Sequence, residues 1–371
     1  MKTQIGQRIK QERERKQVSQ EKLAHALQWN HHQIVSDVEQ GKREVKAWEL
    51  YEIAKFLHVR MDVLLGREEQ PQQPFVLWRQ KPTKDTPLLE ARFINECNNY
   101  IWLEQLILNG NEQPTIVFEE LPKKKIDFKN FTLSHAYQLA ESMRQLMSLG
   151  DFPAMQLLGI LEDRYGVKFI IDNNNTEGSA ACSRSEKGCF ILIKGLDVEC
   201  RQYFSIAHEL FHLITWDQEM LAQIDAMTSL HDKNEQLANA FAAGLLIPKE
   251  KLQTEIARIC GNRPIAAPDV IATAGQFYVS KDAMLYRMLN IGLISNKQFK
   301  EIKEQLQHTV SYRTTAERIS RFLYSKYVRL VYLAYEHIKI SRAKAAKLLH
   351  TDLCDLSDIF NEYGFLEIHA S

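Results

Sequence analysis

His208-Glu209-Leu210-Phe211-His212 is a pentapeptide that places two histidines four residues apart, with a glutamate directly after the first. On an α-helix, residues four apart share one face, so both imidazoles can reach a single metal ion. The glutamate lies about 100° further round the helix, beside the open coordination position of that metal. This pattern is typical of the central helix of a zinc-dependent hydrolase.

The residues around the pentapeptide predict that its helix is buried. Apolar side chains occupy most sides of the segment from Cys200 to Trp216, namely Phe204, Ile206, Ala207, Leu210, Phe211 and Ile214. A helix that is apolar nearly all round lies in a core. Two histidines and a glutamate buried there without partners would be costly, and a metal removes that cost. The alternative is a core helix whose polar residues find ordinary hydrogen-bond partners.

A catalytic zinc site takes three protein ligands, so a third ligand must come from another segment. Residues 235–244 predict a second helix, rich in small residues that allow a close approach to the first. Glu235 is placed at the polar start of that helix, where a carboxylate also suits the helix dipole. Four other residues remain candidates on spacing alone: His231, Asp232, Asp225 and Asp217.

Two motifs carry a resemblance to a known family. HELFHLIT (208–215) and EQLANAFAAGLLIP (235–248) closely resemble the ImmA/IrrE family of metallopeptidases, and the similarity extends from Phe152 to about Ser295. The resemblance implies His208, His212 and Glu235 as metal ligands and Glu209 as the general base of peptide-bond hydrolysis. Zinc is the expected cofactor, although two histidines and one carboxylate also suit Mn²⁺ or Fe²⁺.

The N-terminal 66 residues predict four or five short helices. Their expected spans are 5–15, a helix capped by Ser19, 31–40 closed by Gly41, 46–57 and 61–65. A tight turn between the second and third helices indicates a helix-turn-helix module. The string SQEKLAHALQWNHHQIVSDVEQGKR (19–43) also resembles the Cro/repressor, or XRE-type, family. Its turn is one residue longer than usual, which shifts the register of base-contacting positions by about one residue.

The resemblance predicts double-stranded DNA as a partner. The expected contacts are Ser19 and Gln20 at the start of the second helix, His31, His32, Gln33 and Ser36 in the major groove, and Lys42 and Arg43 on the backbone. Residues 1–66 hold 12 Lys plus Arg against 9 Asp plus Glu, a net charge of only +3. A homodimer on paired half-sites would strengthen such binding. The alternative is a helix-turn-helix used only for protein contact.

Composition restricts the partners and the cellular compartment that we expect for the chain. The 371 residues carry no net formal charge, so no global field favours nucleic acid or membrane. Apolar runs fall short of the roughly 20 residues that span a bilayer, and the start MKTQIGQRIK lacks a signal-peptide core. Six cysteines show no C-x-x-C spacing and indicate reduced thiols. The sequence thus predicts a cytoplasmic protein without a membrane partner.

The predicted fold is multidomain and mainly α. An all-α helix-turn-helix domain (1–66) precedes a Pro-rich linker (67–87), in which residues 75–78 form a strand or an anchor. A helical or irregular connecting region (88–132) leads to an α+β zincin-like metallopeptidase domain (133–295). Strands 167–172, 180–184 and 189–194 form a small antiparallel sheet, whose edge can accept an extended substrate. A helical C-terminal region (296–371) serves packing or oligomerisation, with a second DNA contact at Lys344 and Lys347 as the alternative.

The combined prediction is a DNA-binding transcriptional regulator with a zinc endopeptidase domain. The family resemblance implies that its substrate is a helix-turn-helix repressor. Because both domain types lie on one chain, that substrate is a partner protein, a sister subunit or the chain's own exposed linker. One alternative is a non-proteolytic transcription factor that senses a ligand, metal or partner, although such a sensor has no need of Glu209. Another is an antitoxin-like protein-binding module.

Overall fold

The computed structural model describes residues 2–66, 76–79, 86–108, 118–172, 180–186, 188–217, 221, 224, 227–307 and 317–366. These residues form two compact units. The first holds 2–66, 76 and 86–108, and the second holds 77–79 together with the described residues from 118 onward. Each unit is described by itself below.

The first unit begins with the five predicted helices. They are α1 (Lys2–Arg15), α2 (Gln20–Ala26), α3 (Gln33–Glu39), α4 (Ala47–Phe56) and α5 (Met61–Leu65). Ser19 caps α2 as predicted, because its hydroxyl accepts a hydrogen bond from the Lys22 amide at 3.0 Å. Gly41 follows α3 with φ of +72°, a conformation that glycine adopts without strain. The inner faces meet in one core that includes Ile9, Leu23 and Ile53, each 0% exposed.

A sixth helix, α6 (Thr86–Leu108), completes the first unit. It begins two residues before the predicted connecting region (88–132), inside the segment that we assigned to the linker. Leu88 is partly buried against the core of the first five helices. Through Leu88, the start of α6 therefore packs against the first five helices.

The second unit contains one four-stranded sheet. Its strands are β1 (Leu77–Trp78), β2 (Lys168–Asp172), β3 (Ala181–Ser185) and β4 (Gly188–Lys194), in the order β1-β3-β4-β2. β1 pairs antiparallel with β3, and β3 antiparallel with β4, but β2 and β4 are parallel. The predicted all-antiparallel sheet was therefore wrong for one pair. The reason is that β4 returns from the β3–β4 hairpin into the position between β3 and β2.

The other elements of the second unit are helical. They are α7 (Leu133–Leu146), α8 (Ala154–Gly159) continued by a π-helical turn (Ile160–Arg164), α9 (Glu199–Ile214), α10 (Thr228–Leu246), α11 (Lys249–Cys260), α12 (Ala267–Gln276), α13 (Lys281–Asn290), α14 (Asn296–Gln307), α15 (Glu317–Glu336), α16 (Arg342–Leu348) and α17 (Leu356–Glu362). Ser280 and Ser341 are the N-caps of α13 and α16. No helix within the described ranges is long and apolar enough to cross a membrane.

Helix α10 packs between α7 and α9 and thereby fixes the centre of the unit. Its small residues permit this, since a Cβ on Gly244 would lie only 2.9 Å from Tyr137 Cδ1 and 3.0 Å from Ala140 Cβ on α7. The C-terminal helix α15 packs on β2 and on α9, where Val328 and Val331 are fully buried. The helices after residue 296 are therefore part of the same unit as the pentapeptide.

Candidate metal centre

Helix α9 carries the pentapeptide in the interior, as the sequence predicted. His208 and Glu209 are 0% exposed and His212 is 1% exposed. The apolar residues around them account for this burial, because Leu210 and Phe211 are also fully enclosed. Three ionisable side chains in one stretch of core must find partners there.

The carboxylate of Glu235 on α10 provides that partner for both histidines. Its Oε2 lies 3.0 Å from His208 Nε2, its Oε1 lies 3.3 Å from His212 Nε2, and the two Nε2 atoms are 3.1 Å apart. A tetrahedral zinc ion with bonds of about 2.0–2.1 Å separates its ligand atoms by about 3.3 Å, close to the distances found. The donor set and its spacing fit zinc.

His208, His212 and Glu235 form the one group of His, Cys, Asp and Glu in the described ranges with ligand atoms close enough to share a metal ion. Among the alternatives for the third ligand, His231, Asp232 and Asp217 lie outside this group. Asp225 falls outside the described residues. We placed Glu235 at the start of its helix, but α10 begins at Thr228. Glu235 is thus about two turns inside the helix, and the proposed stabilisation by the helix dipole was wrong.

The protonation of the three ligands follows from burial and mutual contact. Burial lowers the pKa of His208 to about 4, which favours the neutral imidazole that a metal needs. Burial also disfavours charge on His212, but the hydrogen bond and the charge of Glu235 outweigh it and raise the pKa. For Glu235, burial alone would raise the pKa, yet hydrogen bonds from both histidines lower it to about 2. The carboxylate is therefore ionised and ready to bind a cation.

Two asparagines on α10 contact the opposite sides of the imidazoles. His208 Nδ1 lies 3.0 Å from Asn239 Oδ1, and His212 Nδ1 lies 3.3 Å from Asn234 Nδ2. A histidine that binds a metal through Nε2 carries its proton on Nδ1 and needs an acceptor there. Asn239 offers one as it stands. Asn234 offers one after a 180° turn of its amide, which exchanges oxygen and nitrogen in place.

Glu209 differs from its neighbours because neither of its carboxylate oxygens has a well-formed hydrogen bond. Its polar neighbour is the buried Cys182 thiol on β3, a weak donor. Burial raises the pKa of Glu209 to about 7. A carboxylate with a pKa near neutrality is suited to take up and release a proton. No local sequence pattern points to Cys182, because strand pairing and side-chain direction across the sheet are not local features.

A second residue missed by sequence reasoning is Arg79, which we assigned to the linker. It directly follows β1, and its Nη1 donates a hydrogen bond to Ser205 Oγ at 3.1 Å. Its guanidinium also lies 5.5 Å from the centre of the Phe204 ring. Both contacts are on α9, one turn before Glu209. The charge of Arg79 is close enough to influence the pKa values of His208 and Glu209.

The predicted DNA-contacting residues of the first unit fall into two groups. One group is exposed on α3 or the turns and helix start around it, namely Ser19, His31, His32, Gln33 and Lys42. Within this group, Gln33 Nε2 donates a hydrogen bond to Asp37 Oδ1 at 3.1 Å. The other group is engaged within the unit. Gln20 donates to Glu39 Oε2 at 2.7 Å, and Ser36 Oγ accepts from Gln40 at 2.8 Å. Arg43 makes two hydrogen bonds to Glu49, at 2.6 and 3.3 Å, and lies over the Trp29 ring at 4.9 Å.

Glu39 also accepts from Arg13, and this buried ion pair was not anticipated. Arg13 Nε and Nη2 donate to Glu39 Oε1 and Oε2 at 2.6 and 3.1 Å, while its Nη1 donates to the Val18 carbonyl at 2.7 Å. The pair joins α1 to α3 across 26 residues of sequence. Its polar atoms are saturated within the unit, which identifies it as a structural feature.

Family models match both regions of the chain. Residues 9–64 match the model described as helix-turn-helix, and residues 162–289 match the peptidase model described as an IrrE N-terminal-like domain. The chain is a fusion of these two domain types. Both assignments agree with the resemblances found in the sequence, and the IrrE-like range contains α9 and the part of α10 that supplies Glu235. No curated protein is a significant match to the chain.

Proposed function

We propose that this fusion is a DNA-binding transcriptional regulator whose IrrE-like domain is a zinc-dependent endopeptidase. The observation that carries the proposal is the convergence of His208, His212 and Glu235 beside Glu209, a buried carboxylate without a full set of hydrogen bonds. Such a residue costs stability, so its presence points to a chemical role. A protein that only bound a metal or a partner at this site would have no need of it.

Each residue of the site has a role in hydrolysis. His208, His212 and Glu235 would hold zinc, which when bound acts as a Lewis acid toward a peptide carbonyl and acidifies water. Glu209 takes the proton from the attacking water and delivers it to the leaving amine, as its pKa near neutrality permits. Asn239 fixes the orientation and tautomer of His208 through its Nδ1 contact.

The DNA-binding role rests on the helix-turn-helix match and on the exposed side chains around α3. His31 and His32 are exposed and can meet base edges, and Lys42 is exposed and can meet a phosphate. Gln33 is also exposed, but its amide is bonded to Asp37. Arg43 and Gln20 are engaged with Glu49 and Glu39, so we assign them to stability of the module. The net charge of +3 favours a homodimer on paired half-sites over a monomer.

The proposed substrate is a protein, in the first place a helix-turn-helix repressor, cut in trans or within this chain's own linker. The test is a comparison of new protein termini in cells that express the wild type or the Glu209→Gln variant at equal level. We expect termini that depend on Glu209 in a small number of proteins, with a repressor or residues 67–87 of this chain among them.

An identical set of termini in both strains would contradict proteolysis. A protein that keeps its zinc, binds DNA and cuts nothing would then be the first alternative, a non-proteolytic transcription factor that senses a ligand, metal or partner. Co-purification of an uncut partner protein in the absence of DNA binding would instead support the antitoxin-like module.

A further inference from the structure

The edge of the sheet beside the metal centre is covered by a piece of the interdomain segment. β1 pairs antiparallel with β3, placing Leu77 opposite Cys182 and Trp78 opposite Ala181. The backbone amide of Arg79 continues the pairing by donating to the Ala180 carbonyl at 3.1 Å. Within the described residues, β1 is the last strand on this side of the sheet.

This edge belongs to the candidate metal centre. Residues directly opposite one another in a sheet point to the same face, so Leu77 lies on the face of Cys182. That face is turned to α9, because β3 packs on this helix and the fully buried Cys182 thiol is near enough to Glu209 to interact with it electrostatically. Arg79 reaches the same helix through its bond to Ser205. The segment therefore pairs with the strand whose Cys182 lies near Glu209, the proposed general base.

An extended peptide binds a sheet edge through backbone hydrogen bonds, and it obtains its specificity from pockets for alternate side chains. Leu77 and Trp78 already occupy the edge in this way, because their backbone is paired with β3 and their side chains are only 2% and 5% exposed. A substrate in trans that needs this edge must first displace them. Segments of one chain meet at an effective concentration on the order of mM, which a dilute substrate does not reach.

We propose that Leu77–Arg79 is a tethered competitor, which occupies the β3 edge where an extended peptide substrate binds to the IrrE-like domain. The inference rests on the proposed function, because it describes how the endopeptidase site is regulated. The strand is built to be exchangeable. It pairs with two residues of the five-residue β3, and both neighbouring parts of the chain, residue 76 and residues 86–108, belong to the first unit. A two-residue strand is far below the usual length of about five to six.

The proposal can be tested by measuring whether the β3 edge binds the same sequence when it is supplied as a separate peptide. The probe is a fluorescent peptide of residues 74–82, PFVLWRQKP, and its binding to the zinc-loaded full chain is followed by anisotropy. The chain carries Glu209→Gln, so that the peptide is not cut. A variant with Leu77→Gly, Trp78→Gly and Arg79→Gly removes the competitor, and Trp78→Phe is the matched control that keeps it.

We expect the triple-glycine variant to bind the peptide at least ~10-fold more tightly than the parent chain or Trp78→Phe. A peptide with proline in place of Arg79 lacks the amide that bonds to Ala180, so it should bind more weakly. Equal affinity for all chains, or no binding to a triple variant with unchanged circular dichroism and melting, would overturn the inference.

The single variant Arg79→Ala decides the question if the triple variant does not fold. It removes the contact with Ser205 but leaves the backbone pairing, and we expect a smaller gain in peptide affinity. A folded Arg79→Ala chain without any gain would count against the competitor. Proteolysis is judged separately by the comparison of termini with and without Glu209, so either proposal can fail while the other stands.

Discussion

Each unit of the molecule buries a cluster of charged side chains, and the two clusters differ in how completely they are satisfied. In the first unit, the three donating nitrogens of Arg13 and both oxygens of Glu39 have partners. In the second, two imidazole nitrogens face each other at 3.1 Å and Glu209 lacks a full set of hydrogen bonds. Saturated buried charge stabilises a fold, whereas unsaturated buried charge indicates a place for a ligand and for chemistry.

The largest effect should follow from removing the proton acceptor of the unsaturated cluster. Glu209→Gln keeps the size of the side chain and abolishes its basicity. We expect hydrolysis of a target identified by its termini to slow by about 10²–10⁴-fold. The stability and zinc content should not fall, because Glu209 is not a ligand. A variant that cuts at the wild-type rate would remove Glu209 from the mechanism.

The saturated cluster should respond in stability and not in chemistry. Glu39→Ala leaves the Arg13 guanidinium buried and unpaired, so the first unit should lose about 3–5 kcal/mol of its free energy of unfolding. Hydrogen exchange of the α1 and α3 amides in the full chain measures this loss. Glu21→Ala removes an exposed charge from α2 and is the control. A loss for Glu39→Ala no larger than for the control would contradict the structural role of the pair.

Asn239 and Asn234 contact the Nδ1 atoms of the two histidine ligands. On this side the metal centre has hydrogen-bond partners, as the Arg13–Glu39 pair does. Asn239→Ala deprives His208 Nδ1 of its acceptor and should weaken zinc binding by about 10–100-fold. Asn239→Asp retains an acceptor and should bind zinc better than Asn239→Ala. Competition with a zinc chelator gives both affinities. Equal values for the two variants would show that the acceptor at Nδ1 is unimportant.

The smallest effect is expected at a saturated pair of which Asp269 is buried and Arg263 is half-exposed. Arg263 donates two hydrogen bonds of 2.6 Å to Asp269, and these bonds together with the Ala266 amide lower the pKa of Asp269 to about 2. A carboxyl group whose pKa is lower in the folded than in the unfolded state stabilises the fold at pH values above the unfolded-state pKa. This stabilisation is lost as the pH falls from about 4 to 2.

Asp269→Asn should therefore cost about 1 kcal/mol at pH 7, a modest figure because the Arg263 side chain is 50% exposed. The difference in melting temperature between the wild type and the variant should shrink as the pH falls to 2. A difference that does not change between pH 7 and pH 2 would show that the charge of Asp269 contributes nothing.

Local patterns predicted the parts of the molecule whose physics is local. Spacing along one helix placed His208, Glu209 and His212, and turn and capping residues such as Ser19 and Gly41 placed the N-terminal helices. Glu235 came from the family motif, because its convergence with α9 depends on the packing of two helices.

The features that sequence reasoning missed join residues far apart in the chain. The pairing of Leu77 with Cys182, the Arg79–Ser205 bond and the Arg13–Glu39 pair cannot be inferred from periodicity. The parallel pairing of β2 with β4 is equally non-local, since it follows from the return of a hairpin between two strands. The internal engagement of Arg43 likewise depends on Glu49 in the next helix.

The central claim is that the unsaturated cluster is a zinc centre, and the metal content of the purified full chain tests it most directly. We predict about one zinc per chain in the wild type and in Glu209→Gln, and loss of zinc in His208→Ala and Glu235→Ala with the fold retained. Zinc that stays bound in both ligand variants, or a folded wild type that takes up no metal when zinc is supplied, would contradict the account.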